Sequence, residues 1–198
     1  MNSYSGESIR IHRALISAWR KEQAVELARG LAQMGVSLIG SGGTAAAIAE
    51  AGIDIEPLSV QTGFDDLLEG RIKTLHPAVY AAILSRRDSD RDLDDLSKFN
   101  IDPIDLVAVD LYPFPDKPAD RNEAVELIDI GGVSLIRAAA KNFRFVTVLS
   151  RADQFKDFID SLGHSEGSVS LETRLELAIE AFRWTSTYDK RIASGLKI

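Results

Sequence analysis

Apolar and polar positions change their period in a recurring order along this chain. Residues 10–17 (RIHRALIS) read as a strand, and 20–34 then bring Ala24, Leu27, Ala28, Leu31 and Met34 to one face at helical spacing. VSLIG (36–40) reads as a second strand, so the chain opens with a βαβ unit. Ala45 to Ala51 predicts an Ala-rich helix closed by Gly52, DIEPLSV (54–60) a short strand, and DLVAVDLYPF (105–114) the most strand-like run of all. Further on, a helix is expected near 122–128, another over 133–141 behind the Gly131–Gly132 pair, and a strand at FVTVLS (145–150). Segments 153–162 and 171–195 have the three- and four-residue apolar spacing of helices. RDSDRDLDDL (87–96) and PDKPADRN (115–122) read as polar, solvated connections.

Such alternation predicts an α/β fold with three layers, α/β/α: a mostly parallel, doubly wound sheet, with the C-terminal helices as an added layer. Ligands in folds of this kind sit beyond the carboxyl ends of the strands. With 198 residues, 45% of them hydrophobic, the expectation is one domain over 1–198.

Composition narrows the chemistry. Cysteine is absent, which excludes disulfides and thiolate nucleophiles, and His12, His76 and His164 lack ligand spacing, so no metal site is expected. A net charge of −7 argues against a general nucleic-acid or anionic-membrane binder. No window approaches the roughly 18 apolar residues of a membrane span, and the N-terminus carries no signal-peptide pattern. The expected location is cytoplasmic. An anionic ligand must therefore meet a local cationic cluster.

Several such clusters are visible. LIGSGGTAAAIAEAG sets Ser41, Gly42, Gly43 and Thr44 between a strand and a helix, where close backbone approach, hydroxyl donors and helix-start N–H groups suit a phosphate. The plainer alternative is a tight turn with a Ser or Thr cap. Ser17 and Lys21 bracket the end of the first strand and the first helix start, and Lys21 alone would read as a surface lysine. GRIKTLHP gathers Arg71, Lys73, Thr74 and His76 before the Pro77 helix start, either to stabilise an oxyanion or as a basic surface loop. Here His76 is best explained as a turn residue. Asp129, Lys141 and Tyr112 form a potential acid and base set; the alternatives are a helix-start carboxylate, a helix-end cation and a packed aromatic.

In their order and near-constant spacing, ALIS with its following lysine, SGGTA, GRIKTLHP, LYPF, IDIGG and RAAAKN resemble the inosine monophosphate (IMP) cyclohydrolase domain of the bifunctional purine-biosynthesis family, from about residue 12 to the end. The resemblance implies a methylglyoxal synthase-like fold and closure of 5-formamidoimidazole-4-carboxamide ribotide (FAICAR) to IMP, with loss of water and no cofactor. It implies nucleotide contacts from Ser17, Lys21, Ser41, Gly42, Gly43, Thr44, Arg71, Thr74 and Gly131, and catalysis by Lys73, Tyr112, Asp129 and Lys141. A homodimer is also implied, and, without a formyltransferase domain in 1–198, a separate enzyme that formylates AICAR.

Three departures stand out. SAWRKEQ replaces the family's usual Ser-Asp-Lys-Thr-Gly type of loop, bringing Trp19 and Arg20; Asp110 stands where Asn usually precedes LYPF; and Phe143 stands where His often follows KN. Two other readings of the same fold remain: a methylglyoxal synthase-like lyase, and a non-catalytic nucleotide-sensing module.

Overall fold

The computed structural model describes residues 8–64, 72, 74–115, 118 and 120–197. Its elements are β1 (Ile9–Arg10), β2 (Arg13–Ala18), α1 (Lys21–Gln33), β3 (Ser37–Gly40), α2 (Gly42–Glu50), β4 (Glu56–Pro57), α3 (Leu58–Thr62) and α4 (Pro77–Leu84). They continue with α5 (Asp90–Lys98), β5 (Leu106–Asp110), α6 (Arg121–Glu126), α7 (Gly131–Lys141), β6 (Thr147–Leu149), a 3-10 turn (Ala152–Gln154), α8 (Phe155–His164), β7 (Ser168–Val169) and α9 (Leu171–Gly195).

Five strands pair in the order β4-β3-β2-β5-β6, all parallel. Strand alternation divides the core in two. Leu15, Ile39, Val107, Val109 and Val148 face Val79, Leu135, Ala139 and Ala181 of α4, α7 and α9, while Ala14, Ile16, Leu38, Leu106 and Ala108 face Ala24, Leu27, Ile48 and Phe155 of α1, α2 and α8. Burial on both faces explains why β5 is apolar from Leu106 to Val109, with Asp110 at its carboxyl end. Sequence order reverses between β2 and β5, since β3 and β4 extend the sheet on one side of β2 and β5 and β6 on the other. That reversal places a crevice at the carboxyl ends of β2 and β5.

The expected α/β/α architecture is present, with differences in detail. The segment 87–96, expected as a loop, holds most of α5: the Ser89 hydroxyl accepts the Asp92 N–H at 3.3 Å, Asp90 and Asp92 favour the helix start, and Lys98 the end. Only Leu96 is buried there, so the charge that suggested a loop covers the solvent face of a helix. DIEPLSV is extended for two residues only, and Leu58 to Thr62 turn helical behind Pro57. A small antiparallel pair, β1 with β7, lies outside the main sheet.

The long α9 buries Leu171, Arg174, Ala178, Ala181, Thr185 and Tyr188 along one stripe. Arg174 is fully buried, and its guanidinium donates to the carbonyls of Phe143 and Arg144 at 2.9 Å each and to that of Val169. It thereby fastens the α7–β6 connection to α9.

Candidate active site

The turn after β3 and the turn after β2 meet at the carboxyl end of the sheet. Ser41 donates its hydroxyl to Ser17 Oγ at 2.7 Å. Thr44 Oγ1 accepts the Ala18 N–H and donates to the Ala18 carbonyl, both at 3.1 Å, which ties the first turn of α2 to β2. Lys21 Nζ donates to Thr44 Oγ1 at 3.2 Å and to the Ala18 carbonyl. One ammonium, three hydroxyls and the starts of α1 and α2 thus share a single cup. Gly42 and Gly43 open α2, where N–H groups have no intrahelical acceptor. Gly42 needs its freedom, with φ at +31°.

On the far side of β2, the connection after β5 meets the start of α7. Asp129 Oδ1 accepts the Gly132 N–H at 2.6 Å, and the Asp129 N–H donates to Tyr188 Oη at 3.0 Å. Tyr188 in turn donates to the Leu127 carbonyl at 3.3 Å, and burial pushes its phenol up from the ordinary value. A Cβ on Gly131 would lie 2.2 Å from Thr74 Oγ1, and one on Gly132 would lie 2.6 Å from Asp129 Oδ2 and 2.7 Å from Leu111. Both glycines are therefore dictated by close approach. Thr74, the start of α7, Asp129 and the segment leading to Tyr112 meet there.

Between these two clusters lies the crevice. The Trp19 N–H donates to the Asp110 carbonyl at 2.9 Å, continuing the β2–β5 alignment beyond the strands. Arg20 then grips the Asp110 carboxylate in two-pronged fashion, Nε to Oδ2 at 3.0 Å and Nη2 to Oδ1 at 2.8 Å. The backbone N–H groups of Arg20 and Ala152 donate to the same carboxylate at 3.0 and 3.3 Å. Hydrogen bonding to Asp110 holds the Arg20 guanidinium above its ordinary pKa. Trp19 and Tyr112 pack beside this pair, ring centroids 4.6 Å apart and planes tilted by 47°.

A match to the MGS-like domain spans residues 23–134, and a match to the AICARFT/IMPCHase bienzyme family spans 139–198. The chain belongs to the MGS-like domain family. It is 42% identical over 186 residues to the bifunctional purine biosynthesis protein PurH of Mesorhizobium japonicum, which covers 92% of this chain and 35% of that protein. To PurH of Persephonella marina it is 43% identical over 187 residues, covering 93% of this chain and 36% of the relative. The chain thus spans about a third of the length of these curated relatives. The crystal structure of ForH superposes with a TM-score of 0.82 at 33% identity, covering 93% of this chain and 98% of ForH.

Within this MGS-like domain the sequence-derived site residues fall into separate groups. Ser17, Lys21, Ser41, Gly42, Gly43 and Thr44 converge in the cup, and Thr74, Tyr112, Asp129 and Gly131 lie around the ends of β5 and the start of α7. Arg71 and Lys73 lie outside the described residues. Lys141 departs from the expected cluster. It ends α7, exposed, while Asp129 precedes its start, and the helix rises about 15 Å from Gly131 to Lys141. His76 is a helix cap, its Nδ1 accepting the Ala78 N–H at 3.2 Å. Phe143, where the family often has His, is half-buried, and its carbonyl accepts from Arg174.

In the sequence Arg20 and Asp110 stand as two unrelated departures, and nothing around Trp19 marks it as a partner of Tyr112. Their opposite charges, ninety positions apart, were the available signal. A groove of about 970 Å³ between α3, α4 and α5 is a poorer anion site, because Glu56, Asp92, Asp95 and Asp102 line it beside Arg13. Among the described residues no His, Cys, Asp or Glu cluster could hold a metal, and no helix is long and apolar enough to cross a membrane.

Proposed function

We propose that this domain is an IMP cyclohydrolase, closing FAICAR to IMP with release of water. The observation that carries the reading is the convergence, at one sheet end, of an ammonium–hydroxyl cup with a carboxylate at the mouth of α7. The relationship to PurH supports the substrate class. The cup takes the ribotide phosphate through Ser17, Lys21, Ser41, Thr44 and the amides of Gly42 and Gly43. The base, carrying its formamido and carboxamide groups, extends toward Tyr112, Thr74 and Asp129.

Ring closure is intramolecular, so fixing the two exocyclic groups face to face supplies much of the acceleration. The carboxamide nitrogen attacks the formyl carbon, a C–N bond forms, and the carbonyl electron pair moves onto oxygen. Asp129 accepts the nitrogen's proton. Lys73, Arg71 and the first amides of α7 stabilise the alkoxide. Tyr112 protonates the alkoxide to the carbinol, and Asp129 then gives the proton it took to the departing hydroxyl while the former formamido nitrogen loses its own proton to the Tyr112 phenolate, so that one C=N bond forms, one water leaves and both side chains return to their starting state.

Lys141 enters this scheme only if a second copy of the chain delivers it. A homodimer is part of the proposal, supported by the exposed stripe Leu175, Ile179 and Phe182 on α9, spaced for one helical face. Mixing Asp129→Asn with Lys141→Ala chains then regenerates one intact site per mixed dimer; no recovery would place Lys141 outside the shared site.

The direct test follows ultraviolet absorbance of the protein with FAICAR, where closure to the purine changes the spectrum. Turnover is expected, and tight nucleotide binding without turnover would favour a sensing module instead.

A further inference from the structure

The crevice between β2 and β5 has a rim unlike the cup beside it. Trp19 directly follows β2, Tyr112 lies two residues beyond β5, and these strands are hydrogen-bonded neighbours at the point where strand order reverses. Their rings touch each other yet remain 47% and 44% exposed. Two large aromatic side chains left half-open at the mouth of a polar site form a ready surface for another flat ring.

Trp19 is also held in place through its backbone. Its backbone N–H is bonded to the Asp110 carbonyl, and the next residue, Arg20, is fixed by both carboxylate oxygens of Asp110. With four donors converging on it, Asp110 is fully occupied and almost buried. The consequence for Arg20 is that its charge is directed at Asp110 and away from an incoming phosphate. From β3 to β5 is two strand spacings, about 9.6 Å, comparable with the reach of a nucleoside monophosphate from phosphate to base.

We propose that Trp19, positioned by the Arg20–Asp110 pair, stacks on the heteroaromatic ring of a nucleotide whose phosphate occupies the cup of Ser17, Lys21, Ser41 and Thr44. This rests on the nucleotide reading of the site given above. Trp19 is then a substrate-contacting residue, and Arg20 and Asp110 are positioning residues that act through it.

The test uses the Trp184→Phe protein, in which Trp19 is the only tryptophan. The substitution is mild, since the Trp184 indole N–H is buried without a hydrogen-bond partner among the described residues. Titration with IMP is expected to change Trp19 emission, and ribose 5-phosphate, which has no base, to leave it nearly unchanged. Trp19→Ala is expected to weaken IMP by about 5- to 160-fold, the range for losing one base–aromatic stack, while ribose 5-phosphate affinity stays within about twofold. Arg20→Ala should weaken IMP in the presence of Trp19 and add nothing in the Trp19→Ala background. A further loss in that background would overturn the positioning role. IMP binding with silent emission and undiminished affinity after Trp19→Ala would overturn the stacking assignment alone. Failure of the unsubstituted protein to bind either ligand would overturn the nucleotide reading together with this one.

Discussion

The β2–β3 side of the sheet end is built from small polar groups: Ser17, Ser41 and Thr44 are hydrogen-bonded to one another or to β2, and Lys21 lies across them. On the β2–β5 side the same sheet end carries a charged pair, two aromatic rings and a carboxylate at a helix start. The first arrangement suits a compact, highly charged group that replaces its water shell with hydroxyls and amides. The second suits a flat group with reacting substituents. A parallel sheet brings both to one place because every strand delivers its carboxyl end to the same edge of the domain.

The sharpest division between the two flanks should come from Asp129→Asn. The amide oxygen can still accept the Gly132 N–H, so the start of α7 keeps its support. Turnover of FAICAR should fall by about 10²- to 10⁴-fold, as expected for losing a general base, with IMP affinity little changed in equilibrium titration. A comparable loss of affinity would move Asp129 from chemistry to binding.

Asp110→Ala should be the costliest change for stability. It removes the acceptor for a guanidinium and two backbone N–H groups at a side chain only 6% exposed. Urea unfolding should show a loss of about 2–4 kcal/mol. Because the Arg20 side chain is 49% exposed and can turn into water, a loss below 0.5 kcal/mol would mean that the pair behaves as an ordinary surface bridge.

Thr44→Val keeps the shape of the side chain and removes its hydrogen bonds to Ala18 and Lys21. Affinity for ribose 5-phosphate and for IMP should drop together by about 10- to 160-fold, the range for one hydrogen bond to a charged group. Equal losses mark a phosphate contact, in contrast to the selective loss expected for Trp19→Ala. Unequal losses would blur the separation of the two flanks.

The smallest effect concerns pH. Burial raises the Tyr188 phenol above its ordinary value of 10.0, so the folded state holds this proton more tightly than the unfolded chain. The contribution is level below about pH 10 and declines as pH rises from there toward the folded value. Tyr188→Phe should flatten this alkaline decline in thermal unfolding, though it also removes the bonds to Asp129 and Leu127 and lowers stability at every pH.

Much of this was legible along the chain. The change from β to helical period marked α1, α7 and α9, and the apolar run at 105–114 marked β5 because a strand buried on both faces carries no polar alternation. Helix α5 was hidden for the opposite reason: with a single buried anchor, Leu96, its sequence is nearly all solvent face. In the sequence Asp129 fits both a helix-start carboxylate and a catalytic group, and its hydrogen bond to Gly132 shows the first.

The sequence by itself determined the alternation of strands and helices, the glycine and hydroxyl turn after β3, and the presence of a carboxylate ahead of a Gly pair. These are local matters, governed by side-chain period, backbone freedom and caps. Tertiary structure alone decided that Arg20 neutralises Asp110 and that Trp19 meets Tyr112, since only the parallel register of β2 and β5 brings residues ninety positions apart into contact. It also separated Lys141 from Asp129, because a helix carries its two ends apart by a fixed rise per residue, however close they stand in the sequence.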